Sequence, residues 1–199
     1  MRGSRIAGLA AGAVLGLAAA AVAGGLRWEL GFTNQTPAWV KVAGAGDRTS
    51  ICWTMLYDVE NKTGDARKPS LRAEIRTDTK KTFGDTSDPA AIAAVKKAND
   101  LKELCTAADL RAGIEDGKKV KCVATFGDVD KYAKKMELRV YGLCDPITMV
   151  KGKQVYETRY WQVQYERTGD EFGRTEDAWK KVSSGWKVEE PEKKAEGGM

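Results

Sequence analysis

Between Ser50 and Gly64 the chain reads S-I-C-W-T-M-L-Y-D-V-E-N-K-T-G. Trp53, Met55, Tyr57 and Val59 fall on every second position, and Thr54, Asp58 and Glu60 lie between them. A two-residue period is that of a strand with one face on a core and the other nearer water. Asn61-Lys62-Thr63-Gly64 then stops the strand, because Asn tolerates left-handed geometry and Gly supplies positive φ. No other stretch joins so large an apolar face to so clean an end. It is expected to be the central strand of an all-β domain.

The 199 residues leave room for one ordinary domain together with an export segment and a tail. A domain of that size buries a core without needing metals or many covalent staples. The formal charge is +5, of which Arg2 and Arg5 at the N-terminus supply two, and acidic and basic residues are mixed along the chain. A small, interspersed charge is no footprint for nucleic acid, so none is expected as a partner. The chain contains no histidine. Ser-His-Asp and Cys-His catalysis by its own residues are thereby excluded, and the commonest proton switch is missing.

Taken in order, Met1–Gly25 has the form of an export signal. Arg2 and Arg5 precede an apolar and glycine run from Ile6 to Val22, and Ala21-Val22-Ala23 places small residues at a cleavage site. Residues 1–23 are expected to be removed as a signal peptide, leaving an exported protein, periplasmic or extracellular. The alternative is an uncleaved signal anchor, in which residues 6–26 hold the protein to the inner membrane. Membrane contact is expected only through that segment.

Strand signals follow at Trp28-Leu30-Phe32 and at Trp39-Val40-Val42, then at Leu71–Thr77, Lys119–Phe126 and Glu137–Leu143. Gln154–Arg167 alternates as one long strand, with a phase slip near Arg159 that suggests a bulge. Ala178–Val188 returns as its partner with Trp179, Val182, Trp186 and Val188. Asp88-Pro89 is a helix start, with Asp as N-cap and Pro at the first helical position. Ile92, Val95 and Ala98 continue at helical spacing, and Leu101–Leu110 is a second helical candidate. The helices do not alternate with strands, which disfavours a parallel sheet. The expected architecture is an immunoglobulin-like antiparallel β-sandwich over residues 26–188, with a helical insertion at about 89–110. A signal helix precedes it, and a charged, Gly-ending tail at 189–199 is expected to be disordered.

The runs W-T-M-L-Y-D-V-E-N-K-T-G-D, R-T-D-T-K-K-T-F-G-D, V-A-T-F-G-D-V-D, R-V-Y-G-L-C-D-P and Y-E-R-T-G-D-E-F carry a resemblance. From about Trp28 to Val188 the chain resembles an uncharacterised family of exported bacterial domains of planctomycete type, immunoglobulin-like sandwiches by expectation. These motifs are strand ends and turns. The resemblance therefore implies a fold and an exported location, and it carries over no catalytic residue.

Four cysteines, Cys52, Cys105, Cys122 and Cys144, have no C-x-x-C spacing. Without histidine a zinc site would need all four thiolates from scattered strands, so no metal or other cofactor is expected. Two disulfides are the expected state in an exported protein, with one disulfide beside buried free thiols as the next alternative and metal or redox chemistry as the last. Four cysteines allow three pairings, and the preferred one joins Cys105 to Cys144 and Cys52 to Cys122. Trp161, Trp179 and Trp186 on the terminal hairpin could form a flat platform for sugar rings, although packing in the core is the commoner role of Trp.

Asp170, Glu171, Glu176 and Asp177 crowd one loop without the spacing of a known calcium motif, and Asp128 with Asp130 is a weaker case of the same kind. Asn34-Gln35-Thr36 and Asn61-Lys62-Thr63 match the glycosylation sequon but are read as turns. The dispersed Lys-Lys pairs suit solvated faces and strand edges. The functional expectation is an exported, non-enzymatic envelope module acting by binding or as structure, its partner an unknown envelope protein or glycan. The alternative is a small carbohydrate- or ligand-binding domain that uses the three tryptophans.

Overall fold

In the computed structural model the described residues are 27–43, 49–168 and 179–189. The expected signal peptide at 1–23, the acidic residues Asp170, Glu171, Glu176 and Asp177, and all of the expected 189–199 tail except Glu189 lie outside them. Eleven strands, one α-helix and one 3-10 turn make up the described part.

The long strand read from the sequence forms as β3 (Thr49–Glu60), and two sheets are built around it. On one edge of β3 lie β1 (Gly31–Asn34) and β2 (Ala38–Ala43), placed end to end, so that Asn34 faces Tyr57 and Ala38 faces Thr54. On the other edge lies β6 (Lys119–Thr125), with Tyr57 opposite Cys122. The second sheet runs β5-β4-β7-β10-β11. Its members are β4 (Arg72–Thr77), β5 (Thr82–Gly84), β7 (Lys135–Tyr141), β10 (Arg159–Arg167) and β11 (Trp179–Val188). All of these strand pairs are antiparallel.

The inner faces follow the alternation. Met55, Tyr57 and Val59 of β3 join Cys122 and Ala124 of β6, Ala73 and Ile75 of β4, Met136, Leu138 and Val140 of β7, and Val163 and Tyr165 of β10 in one buried cluster. Phe126 belongs to it, and Trp53 packs against it while remaining half-buried. Each large aliphatic side chain so buried contributes roughly 1.5–3 kcal/mol, which is why register matters: a one-residue slip would put the whole set into water. At one end the sheets are stitched together by main-chain bonds from Leu30 N to Leu143 O at 2.8 Å and from Asp145 N to Trp28 O at 3.1 Å.

The sequence left the other face of β3 nearer water, and here the fold differs. Cys52, Thr54 and Leu56 are buried. Helix α1 (Pro89–Ala98) lies over them, with Ala91 against Val42 and Cys52, and Val95 against Leu56 and Val123. The helix starts where Asp88 and Pro89 require: the Asp88 carboxylate accepts from the amides of Ala90 and Ala91, and Lys96 and Lys97 occupy the last turn, where cations suit the helix dipole.

The second helical candidate, Leu101–Leu110, does not form a helix. Cys105 is extended and bridges Cys122 in parallel, giving its amide to Lys121 O and accepting from Val123 N. Only a 3-10 turn, Asp109–Ala112, follows, with the Asp109 carboxylate taking the amide and hydroxyl of Thr106.

The single strand expected over Gln154–Arg167 is two. The chain pairs β8 (Ile147–Val150) with β9 (Lys153–Tyr156) as a separate hairpin, breaks at Glu157–Thr158, and only then enters the second sheet as β10. Bonding of Glu157 N to Pro146 O closes the base of the hairpin. The bulge lies elsewhere, on β11 opposite Gln164 and Tyr165. Among the described residues no helix is long and apolar enough to cross a membrane.

Candidate functional site

The outer face of the second sheet is an ordered array of polar and aromatic side chains. Strict alternation places Arg72, Glu74 and Arg76 of β4 outward, beside Glu137, Arg139 and Tyr141 of β7 and Tyr160 of β10. Tyr141 and Tyr160 are direct cross-strand partners, with ring centroids 5.2 Å apart and planes tilted by 38°. The Arg72 guanidinium lies 4.3 Å from the Tyr141 centroid, and that of Arg139 lies 4.7 Å from the Tyr160 centroid. Arginine stacks on aromatic faces in this way because its planar, weakly hydrated cation meets the negative face of the ring.

The array is self-satisfied. Arg76 Nε donates to Glu74 Oε1 at 2.8 Å, Arg139 pairs with Glu137, and the Tyr141 hydroxyl donates to Glu74 at 3.4 Å and to Glu189 at 3.3 Å. Burial pushes the hydroxyls of Tyr141 and Tyr160 above the ordinary tyrosine value, so both stay protonated through neutral pH.

Over this floor stands the β8–β9 hairpin, whose tip turns through Lys151 and Gly152, both at positive φ. Arg27 fixes its root, binding Glu157 Oε2 at 3.0 Å and the carbonyl of Asp145. Between hairpin and sheet runs a groove of about 1000 Å³ lined by Arg76, Arg139, Tyr156, Tyr160, Lys187 and Glu189, among others. A second recess of about 410 Å³, lined by Trp28, Arg72, Tyr141 and Arg159, lies on the other side of Tyr156. Tyr156 borders both recesses and is 74% exposed. Ile147, Met149, Val150 and Val155 are also exposed on the hairpin.

The tryptophans take a different place. Trp179 is buried in the main core, and Trp161 and Trp186 pack half-buried against it. Trp161 and Trp186 meet edge to face at 88°, Trp186 Nε1 donates to Glu29 Oε1, and Arg159 covers the Trp186 ring at 4.7 Å. No flat, open row of the three is formed.

The structure leaves all four cysteines as free thiols and does not bring either preferred pair together. Cys52 packs with Ala91 beneath α1, whereas Cys122 opposes Tyr57 on the inner face, so the first sheet itself lies between them. Cys144 bridges Glu29 beside β1, while Cys105 flanks the far edge of β6. Roughly three strand spacings, about 14 Å, separate those edges, twice the reach of a disulfide. Cys105 instead stands beside Cys122.

Among the described residues no group of Cys, Asp or Glu is arranged to hold a metal ion. Asp130 is already engaged, by Lys81 at 2.9 Å, by the Thr79 hydroxyl and by the amide of Tyr132. Asn61 is fully buried, donating to Asp65 O and Ile114 O and accepting from Thr63, so its sequon belongs to the turn.

The fold and groove define a class, a two-sheet β-sandwich carrying a polar-aromatic groove under a projecting hairpin. The chain matches no family model, no curated protein and no solved structure with which it was compared. The functional reading therefore rests on the groove.

Proposed function

We propose that the protein is an exported, non-enzymatic binding module of the cell envelope, with immunoglobulin-type topology and a glycan as its ligand. The topology is supported by strand order: β3 pairs with β6 in one sheet, and β4, β7 and β10 are neighbours in the other, as strands B, E, C, F and G are in such sandwiches. This is also the fold that the resemblance to exported planctomycete-type domains implies. The export signal at residues 1–23 supports the location.

The single observation that carries the ligand class is the Arg72–Tyr141–Tyr160–Arg139 stack on the floor of two recesses that the exposed Tyr156 also lines. A sugar ring offers an apolar face for stacking and a rim of hydroxyls that both donate and accept. Tyr156 supplies an open aromatic face, and fixed Arg–Glu pairs supply donors and acceptors in one plane. Arg76 and Arg139 are paired with Glu74 and Glu137, and the groove lining holds Lys187 together with Glu157 and Glu189, so the groove carries no large excess of either sign. That balance favours a polyhydroxyl ligand over a polyanion. The ligand platform is thus moved from the tryptophans to the tyrosines.

The test is titration of the purified domain with neutral and acidic oligosaccharides of bacterial envelopes, followed by calorimetry or tryptophan fluorescence. Binding of a neutral oligosaccharide, weakened at least tenfold by Tyr156→Ala with an unchanged melting temperature, is the expected result. Absence of binding across the panel, or binding indifferent to Tyr156→Ala, would overturn it.

A further inference from the structure

We propose that Cys105 and Cys122 are the protein's disulfide-forming pair, linked side by side at the edge of the first sheet. The two residues are direct partners in a parallel bridge, held by Cys105 N to Lys121 O at 3.0 Å and Val123 N to Cys105 O at 2.9 Å. Directly opposed residues on neighbouring strands have Cα atoms about 4.8 Å apart and send their side chains to the same face. That separation lies inside the window of about 4.4–6.8 Å that a disulfide spans. Both side chains accordingly belong to the same core: Cys122 is fully buried in the main cluster and Cys105 packs against it. The bridge also explains why the chain is extended at Cys105 when its neighbours suggest a helix.

The pair is asymmetric in access, which gives the reaction an order. Cys105 is half-buried and reachable, whereas Cys122 is fully buried beside its cross-strand partner Tyr57, its thiol donating to the Val120 carbonyl at 3.7 Å. In exchange with a disulfide oxidant, a glutathione disulfide or a protein dithiol oxidase, the Cys105 thiolate attacks one sulfur. The first oxidant thiol is released and a mixed disulfide forms. The Cys122 thiolate then attacks the Cys105 sulfur, the second oxidant thiol departs, and the protein S–S bond closes. Two protein thiols lose two protons and two electrons, and one oxidant disulfide becomes two thiols. Burial pushes the Cys122 thiol up to about 12 and raises that of Cys105, so neither is poised as a reactive thiolate in the folded state. The bond is therefore structural and forms most readily as the chain folds.

The segment closed by this bond carries Leu110 and Ile114 into the core, and before β6 begins it holds only the 3-10 turn Asp109–Ala112. A cross-link at its two ends restricts that segment in the unfolded chain, where it has least local structure to hold it. Cys52 and Cys144 are each buried at separate sites and remain thiols. The pairing is independent of any glycan reading, since it involves no groove residue.

The full purified chain, denatured and reduced, is refolded in a glutathione redox buffer, alkylated, and mapped by non-reducing peptide mass spectrometry. One linkage joining Cys105 to Cys122 is expected, with Cys52 and Cys144 alkylated. Addition of reductant should lower the melting temperature by about 6–12 °C, and Cys105→Ser should abolish that difference. Cys52→Ala with Cys144→Ala should preserve it. A linkage between any other two cysteines, or four alkylated thiols after refolding, would overturn the proposal. Because folding is scored by the melt and the linkage by mass, failure here leaves the glycan titration unaffected.

Discussion

Trp179 and Trp186 stand seven residues apart on β11 yet share the inner side of the sandwich, Trp179 opposite Arg167 and Trp186 opposite Trp161. An odd separation in a regular strand puts two side chains on opposite faces. The register shift between Gln164 and Tyr165 leaves Val182 without a partner on β10, and this extra residue restores the phase. Val182 is correspondingly exposed.

Deletion of Val182 should therefore remove the bulge and leave both tryptophans facing inward. Without it they stand six residues apart, an even separation that keeps both inward in an unbroken strand, whereas expulsion of a packed indole would cost on the order of 3–5 kcal/mol. Val182→Lys should change stability by less than about 0.5 kcal/mol, as for other exposed positions. Urea denaturation of the two variants checks both, and a loss of about 3–5 kcal/mol in the deletion variant would contradict the bulge.

What could be read in the sequence was what local chemistry determines. The β3 alternation and the Asp88-Pro89 helix start need no knowledge of the fold, and both appear where expected. Coverage of Cys52 and Leu56 by α1 was not legible, because a helix crossing from β5 back over β2 and β3 is a long-range choice; the hint was that neither residue is charged. The groove was missed for the same reason. Arg72, Glu74 and Arg76 look like an ordinary wet face until the β4–β7–β10 register sets them beside Arg139, Tyr141 and Tyr160. Gln154–Arg167 misled because both halves are strands, and only the pairing of β9 with β8 separates them. The three tryptophans were correctly placed on a hairpin, but the parity that decides their face depends on a bulge that alternation alone put near Arg159.

Asn61 gives the second prediction. Its buried amide donates to Asp65 O at 2.8 Å and to Ile114 O at 2.7 Å, while its carbonyl oxygen accepts from the amide and hydroxyl of Thr63. Asn61→Ala removes all four bonds, one of them to the carbonyl of the buried Ile114, and each such bond is worth about 0.5–1.5 kcal/mol. A loss of about 2–4 kcal/mol is expected by chemical denaturation. Lys62→Ala beside it keeps only its surface pair with Glu60 at stake and should be nearly neutral. A mild Asn61→Ala variant would show that the turn does not depend on this side chain.

The third concerns acid. Lys81, the Tyr132 amide and the Thr79 hydroxyl hold the Asp130 carboxyl at about 2, and the amide and hydroxyl of Thr106 lower that of Asp109. A folded-state value below the unfolded one means stability that is present above the ordinary carboxylate pKa of about 3.9. It is lost as pH falls from about 4 toward 2, where the folded protein must also take up the proton. The wild-type melting temperature should drop across that window. Asp130→Asn should melt lower than wild type at pH 7 and show a shallower acid limb, and parallel curves for the two proteins would contradict the assignment.

Gly142 ties the fold to the proposed ligand face. It follows Tyr141 at the end of β7 with φ of 78°, a conformation that side chains with a Cβ rarely adopt. A Cβ there would lie 2.1 Å from the carbonyl oxygen of Ser70, which is backbone and has no rotamer by which to yield. Gly142→Ala must therefore push the Ser70–Leu71 segment away from the end of β7, and with it Arg72, whose guanidinium rests on Tyr141. We expect a fall in melting temperature together with weaker oligosaccharide binding. Arg72→Ala, which removes the stacked cation and leaves the backbone in place, should weaken binding alone. Measured side by side, the pair separates the contribution of the backbone approach from that of the stack: equal stability of Gly142→Ala and wild type would contradict the close contact, and undiminished binding by Arg72→Ala would remove Arg72 from the ligand face.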